Sequence, residues 1–233
     1  MDYKTILPND ELRAYARLQL SGFWGKMVFA YFIYYLILLP FNIVSAIDSI
    51  NNALYDESSV SGISNLLAVA VLITSGPFSL GFAGYFLKRV RGEEIFTRNI
   101  FDGFKRFIPS LLAAFFIGLF TFLWSLLLII PGIVKGLGYS MVFNIMYDNP
   151  EMKPRDALKK SQIMMNGYKL KYFLLQLSFV GWAFLCLLTL GVGLLWLNPY
   201  IYLSYANFYE NLKINQEASL PKVNEVGESQ IFS

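Results

Sequence analysis

Lys135 is a basic residue inside a long apolar stretch, in the segment IIPGIVKGLGYS. Asn42 and Asn198 lie in two other apolar stretches, at positions predicted to share the same half of a membrane bundle. An ammonium group beside two amides suits an anionic headgroup or a carboxylate. We therefore predict that Lys135, Asn42 and Asn198 form a ligand-binding site. The alternative is that the lysine stem snorkels, so that its ammonium only anchors the chain among outer headgroups.

Tyrosines are the second group of candidate ligand residues. Tyr202 and Tyr205 lie with Asn198 along one face of the last apolar stretch, and Tyr139 follows Lys135 within the preceding one. Polar tips are costly when they face lipid, so the face of the last stretch is predicted to turn toward the bundle interior or a wet cavity. The hydroxyl groups either satisfy one another in interhelical hydrogen bonds or line a pocket.

Residue types that enzymes commonly use are scarce. The chain has no histidine, which is the commonest general base near neutral pH and the commonest metal ligand. The paired carboxylates Glu93-Glu94 and Asp148 with Glu151 adjoin basic turns, where helix caps and ion pairs are commoner than acid–base pairs. No phosphate-binding GxxxxGK[ST] sequence is present. We predict no enzyme activity, no metal site and no cofactor.

Composition places these residues in a membrane. Apolar residues make up 56% of the chain and charged residues 15%, against roughly 25% charged in a soluble protein. A helix needs about 20 predominantly apolar residues to cross the hydrocarbon core. Two apolar stretches are of that length and two are too long for one crossing, so they must fold back. The sequence predicts an all-α bundle of six spans, in the stretches 27–47, 63–87, 107–147 and 172–209.

Proline and glycine mark the predicted turns of the two longer stretches. Pro131-Gly132 interrupts the first, while Gly191 and Gly193, or Asn198-Pro199, are available in the second. Residues 1–212 are predicted to form one membrane domain. The polar residues 213–233 have no helical period and are predicted to be a disordered tail.

Basic residues predict the orientation of the bundle. All Lys and Arg residues except Lys135 fall on one side of a six-span arrangement, and the positive-inside rule makes that side cytoplasmic, with both termini inside. The same residues can attract anionic lipid headgroups. That is a better explanation of the basic face than nucleic-acid binding, which we do not predict.

A pattern of a small polar residue, glycine, an aromatic and basic residues occurs three times, as SGFWGK, DGFKRF and NGYKLK. An amphipathic segment precedes each copy; Asn9 is predicted to cap the first segment and Pro154 to open the third. These features predict three helical hairpins, each preceded by an interfacial amphipathic helix. The alternative is that any multi-span protein has aromatic and basic anchors where its helices enter lipid.

Small residues form stripes in the second and fourth predicted spans. Such stripes allow close approach of helix backbones in membranes. The sequence therefore predicts a tight contact between these spans, through Gly132, Gly136, Ser140 and Asn144 on one side and Ser75, Ser79 and Ala83 on the other.

SGFWGK, LLLIIPGIVKGLGYSM, ALKKSQIMMNGYKLKYFLLQLSFVGW and LTLGVGLLWLNPYI resemble signature segments of a bacterial integral membrane family, domain of unknown function 975. The resemblance covers Pro8 to Leu212, and Phe23 departs from it, where a polar residue is expected. More distantly, the chain is similar to the membrane domain of some glycerophosphodiester phosphodiesterases. The resemblance implies six helices in a bacterial plasma membrane, of a Gram-positive organism, and no assigned active site.

Two functions are compatible with these patterns. The first is a non-catalytic membrane protein that binds a lipid or a membrane protein partner, with its basic interfacial helices as the contact surface. The second is a small transporter or permease component with a polar pocket inside the bundle, because internal repeats are common in transporters.

Overall fold

The computed structural model describes residues 6–55, 61–189 and 191–219, and this part of the chain is helical, with no β-strand. The all-α prediction is confirmed. The elements are α1 (Asn9–Leu20), α2 (Trp24–Tyr55), α3 (Ser61–Val90), a 3-10 helix (Thr97–Arg106), α4 (Phe107–Leu127), α5 (Ile129–Gly138), α6 (Val142–Asp148), α7 (Pro154–Met164), α8 (Lys169–Leu188) and α9 (Leu194–Ser219).

Four stretches of the described residues are long and apolar enough to cross a membrane, and they are compatible with a membrane protein. They are Trp24–Asn51, Ser64–Val90, Thr97–Leu126 and Ile129–Asp148. The other two predicted spans correspond to α8 and α9, which are not among these four stretches of the described residues. The six-span count and the hairpin arrangement therefore remain predictions.

The three amphipathic segments are helical. α1 and α7 occupy the first and third positions, and the 3-10 helix occupies the second and runs through the DGFKR sequence. Pro154 opens α7 as predicted, whereas Pro8 precedes α1 and the Asn9 amide donates instead to the carbonyl of Lys171. Gly22 and Gly167 share a positive φ of 78° and 81°, so the first and third copies of the repeated pattern turn alike.

The core lies at one end of the bundle, which we call the packed end: α1, the 3-10 helix, α6, α7, residues 78–90 of α3 and residues 200–212 of α9. Most of the buried apolar side chains of the described residues lie there. The open end comprises residues 36–51 of α2, 64–73 of α3, 119–127 of α4, all of α5 and residues 177–188 of α8. Its side chains are mostly apolar and exposed.

Glycines bring α3 against the 3-10 helix and α4. A Cβ at Gly81 would collide with the carbonyl of Ile100, and one at Gly103 with the carbonyl of Pro77. Gly76 approaches the backbone of Ser110 in the same way. Backbone therefore meets backbone along this contact, and a side chain larger than hydrogen has no room.

The predicted contact between the small-residue stripes has a different form. Gly132 and Gly136 of α5 lie against Ser125 and Thr121 of α4, not against α3. The fourth predicted span touches α3 instead through α6, where the Tyr147 ring lies over Gly84. The cause is a single-residue connection between α4 and α5, because such short connections make consecutive helices neighbours. The Ser75 hydroxyl donates to the carbonyl of Leu72 in its own helix, and the remaining stripe residues, Ser79, Ala83, Ser140 and Asn144, line a cavity.

The turn predicted at Pro131-Gly132 is wrong. The chain turns at Leu128, which is extended with φ −162° and ψ 142°, and α5 includes Pro131 in its first turn. A proline is tolerated there because the first helical N–H groups have no intrahelical partner. α5 then ends at Gly138, and residues 139–141 form a turn before α6.

The C-terminal part of the chain contains the last predicted turn and the start of the predicted tail. Gly191 turns with φ 84° as predicted, and Pro199 lies inside α9. α9 continues past residue 213 to Ser219, because Lys213 pairs with Asp148 of α6 and Asn211 accepts a hydrogen bond from the backbone of Leu7. The rest of the predicted tail, 220–233, lies outside the described residues.

Candidate functional site

A cavity of about 350 Å³ lies among α2, α3, α6, α8 and α9. This volume is at the lower end of the range of about 300–1,000 Å³ for small-molecule sites. No charged residue in the described part of the chain lines it. We call it the aromatic cavity, and its lining is Tyr31, Tyr34, Phe78, Ser79, Phe82, Ala83, Phe86, Ser140, Met141, Phe143, Asn144, Tyr172, Tyr202, Tyr205 and Ala206.

Ring stacking fixes the walls of the aromatic cavity. Phe78, Phe82 and Phe86 recur every four residues of α3, which places them on one helix face. The Tyr31 ring stacks on Phe82 with a centroid separation of 4.8 Å, and the Tyr202 ring stacks on Phe86 at 5.8 Å. The spacing of the α3 phenylalanines is visible in the sequence and is the signal that would have identified this wall.

Asn144 supplies an amide to this apolar surface. In the described part of the chain its side-chain nitrogen donates to the sulfur of Met141 at 3.9 Å, which is a weak acceptor. The neighbouring Ser140 hydroxyl is occupied, because it donates to the carbonyl of Leu137 at 2.8 Å. The amide of Asn144 is therefore a polar group of the cavity lining with only a weak partner in the protein, and it can bind a ligand.

The turn between α5 and α6 borders the cavity and is held by Ser161 of α7. The buried Ser161 hydroxyl donates to the carbonyl of Gly138 at 2.7 Å and accepts from the N–H of Met141 at 3.3 Å. These two bonds satisfy backbone groups that the helix break leaves without intrahelical partners. The amphipathic helix α7 is thus connected directly to the turn that positions Ser140 and Met141 in the lining.

A second cavity of about 290 Å³ lies among α4, α5 and α8. Its lining includes Gly132, Gly136 and Thr121, and it shares Ser140 with the aromatic cavity. The Thr121 hydroxyl is buried and has no hydrogen-bond partner among the described residues. Gln176 also lines this cavity and interacts with the hydroxyl groups of Tyr172 and Tyr205. Ser140, Tyr172 and Gln176 therefore lie between the two cavities.

Lys135 and the two predicted asparagines have separate partners. The Lys135 ammonium lies 4.8 Å from the centre of the Trp124 ring on α4, a cation–π contact. The Asn42 amide donates to the carbonyl of Leu38 in its own helix. The structure does not bring the three residues together, because the short turn at Leu128 holds α5 against α4.

Asn198 and the predicted tyrosines lie closer to the cavity. The Asn198 amide donates to the hydroxyl of Tyr35 at 2.9 Å. Tyr202 and Tyr205 line the aromatic cavity, whereas Tyr139 is buried and its ring lies near Phe120. Both interpretations of the polar face thus apply: some groups make interhelical hydrogen bonds and two tyrosines line a pocket.

An ion cluster joins three helices at the packed end. Arg91, which follows α3, pairs with Asp148 of α6 at 2.7 Å and with Glu210 of α9 at 2.5 Å. Lys213 pairs with Asp148 at 2.7 Å, and the Tyr209 hydroxyl donates to the same carboxylate. Burial lowers the pKa of Arg91, but the hydrogen bonds and charges of the two carboxylates outweigh it and raise the pKa. Asp148 thus has an ion-pair role, and no group of three or more Cys, Asp or Glu residues in the described ranges could hold a metal ion.

Comparison with known proteins identifies a family. No curated protein and no solved structure matches the chain, so the distant similarity to the membrane domain of glycerophosphodiester phosphodiesterases gains no support. The family described as protein of unknown function (DUF975) matches residues 6–135 and 126–216. These ranges include every element that lines the aromatic cavity. The chain belongs to this family, DUF975.

Proposed function

We propose that this protein is a non-catalytic, multi-pass protein of the bacterial plasma membrane that binds a lipid in the aromatic cavity. The observation that carries the proposal is the cavity itself, walled by stacked rings and free of charged side chains. Such a surface matches the apolar body of a lipid and offers few groups for a hydrophilic solute. Tyr202 is 45% exposed, so the cavity opens beside its ring.

The basic amphipathic helices form the second part of the proposal. α7 buries Ala157, Leu158 and Ser161 on one face and exposes Arg155 and Lys159 on the other. A helix of this kind suits the cytoplasmic membrane surface, where anionic headgroups attract basic side chains. A membrane protein partner with an acidic surface is the alternative occupant of the same face.

A six-span topology with both termini in the cytoplasm accompanies this proposal. It is supported by the distribution of basic residues and by the helical state of α8 and α9. Single cysteines at Ser58, outside the described residues, and at Glu93 test it in a Cys186→Ala background. We expect an impermeant reagent to label the first on intact cells and the second only after lysis. The opposite pattern would invert the topology.

Lipid binding is tested by native mass spectrometry of the protein purified in a lipid-preserving medium. Ala83→Leu adds bulk to the cavity wall, and Ala68→Leu makes the same change at an exposed position of the same helix. We expect the wild type and Ala68→Leu to retain a lipid and Ala83→Leu to lose most of it. A wild type without any lipid, or equal retention by both variants, would contradict binding at this cavity.

Transport is a second candidate function because the predicted fourth span is broken between α5 and α6, beside both cavities. Discontinuous helices at a binding site are common in secondary transporters. A carrier would expose cysteines placed at Tyr202 and Tyr205 to reagents from alternating sides. If both positions stay accessible from one side only under all conditions, transport is ruled out.

A further inference from the structure

We propose that the aromatic cavity selects an uncharged amphiphile, with a hydroxyl group bound by the Asn144 amide and an acyl or isoprenoid chain between the rings. This inference rests on the proposed lipid binding and specifies the ligand class. It differs from the anionic ligand that the sequence predicts at Lys135. A neutral diacylglycerol and an isoprenoid alcohol both have the required chemistry.

The charges around the cavity exclude an anionic headgroup. No basic side chain lines the cavity, and Lys135 lies against Trp124 instead. Arg91 and Lys213 at the packed end are already paired with carboxylates. A phosphate in the cavity would lose its hydration without gaining a counter-charge, which is strongly unfavourable.

The amide of Asn144 defines the polar part of the ligand. Its nitrogen donates only to a methionine sulfur among the described residues, and its oxygen has no hydrogen bond there. Such an amide has hydrogen-bonding capacity available to a ligand in the cavity. A single hydroxyl corrects both deficits, because it accepts from the amide nitrogen and donates to the amide oxygen.

The size and the opening of the cavity indicate where the rest of the ligand lies. About 350 Å³ is enough for a small headgroup and the first part of a chain. The Tyr31, Phe82 and Phe86 rings offer that chain a stacked aromatic wall. Because Tyr202 is partly exposed at the cavity, the remainder of the chain can leave past its ring toward lipid.

Photolabelling of the full-length protein in nanodiscs tests this ligand class. The probes are diazirine analogues of diacylglycerol, of a prenyl alcohol and of phosphatidylglycerol, and labelled peptides are mapped by mass spectrometry. We expect one or both neutral probes to label peptides of α3, α6 or α9 at the cavity lining, and the phosphatidylglycerol probe to label them far less. The two neutral probes distinguish a glycerolipid from an isoprenoid source.

Variants of Asn144 test the recognition step. Asn144→Leu keeps a similar size without the amide and should reduce neutral-probe labelling about tenfold, the equivalent of about 1.4 kcal/mol; Asn144→Gln should retain part of it. Asn42→Leu removes an exposed amide outside the cavity and should leave labelling unchanged. Melting temperatures of all variants show whether a loss of labelling reflects misfolding.

Three outcomes would overturn the inference. Equal labelling by phosphatidylglycerol would remove the charge selectivity, and full labelling of a folded Asn144→Leu variant would remove the hydroxyl contact. Either result would leave lipid binding at the cavity intact. Absence of labelling by every probe would overturn lipid binding at the cavity together with the ligand class.

Discussion

Apolar side chains at the packed end and at the open end of the bundle differ in burial. Leu12, Tyr85 and Phe208 at the packed end are fully buried, whereas Leu126 is 75% exposed and Leu188 is 81% exposed at the open end. The packed end gains its burial from amphipathic helices that cover the ends of α3 and α9. Apolar side chains at the open end have lipid as their natural neighbour. Hydrophobicity alone therefore does not locate the core of this protein.

Polar contacts follow the same division. The ion cluster of Arg91, Asp148, Glu210 and Lys213 and the Ser161 bonds all lie at the packed end. At the open end, hydroxyl and amide groups such as those of Ser49 and Asn42 donate to carbonyls of their own helix. Stability should depend on side-chain identity at the packed end and on the surrounding lipid at the open end.

The largest expected effect is at the helix contact of the packed end. Gly81→Ala places a Cβ against the carbonyl of Ile100, so α3 and the 3-10 helix must separate. We expect a loss of about 2–4 kcal/mol, or failure to fold, measured by thermal unfolding in nanodiscs. Gly118→Ala on α4 is the control, because its Cβ meets nothing within 4 Å. Equal stability of both variants would contradict the expectation that stability depends on side-chain identity at the packed end.

The ion cluster should give the next largest effect. Asp148→Asn leaves Arg91 with Glu210 alone and Lys213 without its carboxylate, and we expect a loss of about 1–3 kcal/mol. Asp102→Asn is the matched control, because its partner Lys105 is 78% exposed and such pairs contribute about 0–1 kcal/mol. Urea or thermal unfolding should separate the two variants. An unchanged melting temperature for Asp148→Asn would show that the cluster is not a structural clamp.

Loss of the Ser161 hydroxyl should have an intermediate effect. Ser161→Ala removes both bonds to the turn between α5 and α6 and should cost about 1–2 kcal/mol. Hydrogen exchange at residues 138–142 should also become faster. The Ser178 hydroxyl donates only to its own helix at Leu175, so Ser178→Ala should change neither measurement. Unchanged exchange in Ser161→Ala would mean that the turn is held by other contacts.

Substitution of Lys135 should change stability least, because the contact of Lys135 with Trp124 lies at the open end. Lys135→Met removes the cation–π contact with Trp124, worth about 0.5–1 kcal/mol at exposed sites, and Lys135→Arg should retain it. Thermal stability and retained lipid provide the measurements. A large loss of bound lipid in the Met variant alone would favour the anion-binding role predicted from the sequence.

Only a small part of the candidate site could be anticipated from the sequence. Tyr202 and Tyr205 were predicted to face the interior because polar tips on an apolar helix avoid lipid. Ser79, Ala83 and Ser140 were identified as small residues, yet they line a cavity and do not close a contact. Asn144 belongs to the predicted stripe of the fourth span, but only the structure makes it a ligand candidate, because it shows the amide at the cavity with a weak partner.

The sequence by itself determined the class of the protein and the positions of its elements. The composition indicates an all-helical chain suited to a membrane. Local sequence patterns indicate the positions of α1, α7 and the turn at Gly191. These features depend on residues close together in the chain, so their patterns can be read directly.

Only the tertiary structure decided which helix faces meet. The one-residue turn at Leu128 holds α5 on α4, which separates Lys135 from Asn42 and Asn198. Gly81 and Gly103 become close backbone contacts, whereas a Cβ added at the predicted Gly136 would meet Thr121 at an ordinary 3.6 Å. Helix pairing is set by contacts between residues far apart in sequence, and many apolar faces are nearly equivalent by composition. Which helix faces meet therefore depends on the shapes of those faces, and a local sequence pattern does not encode these shapes.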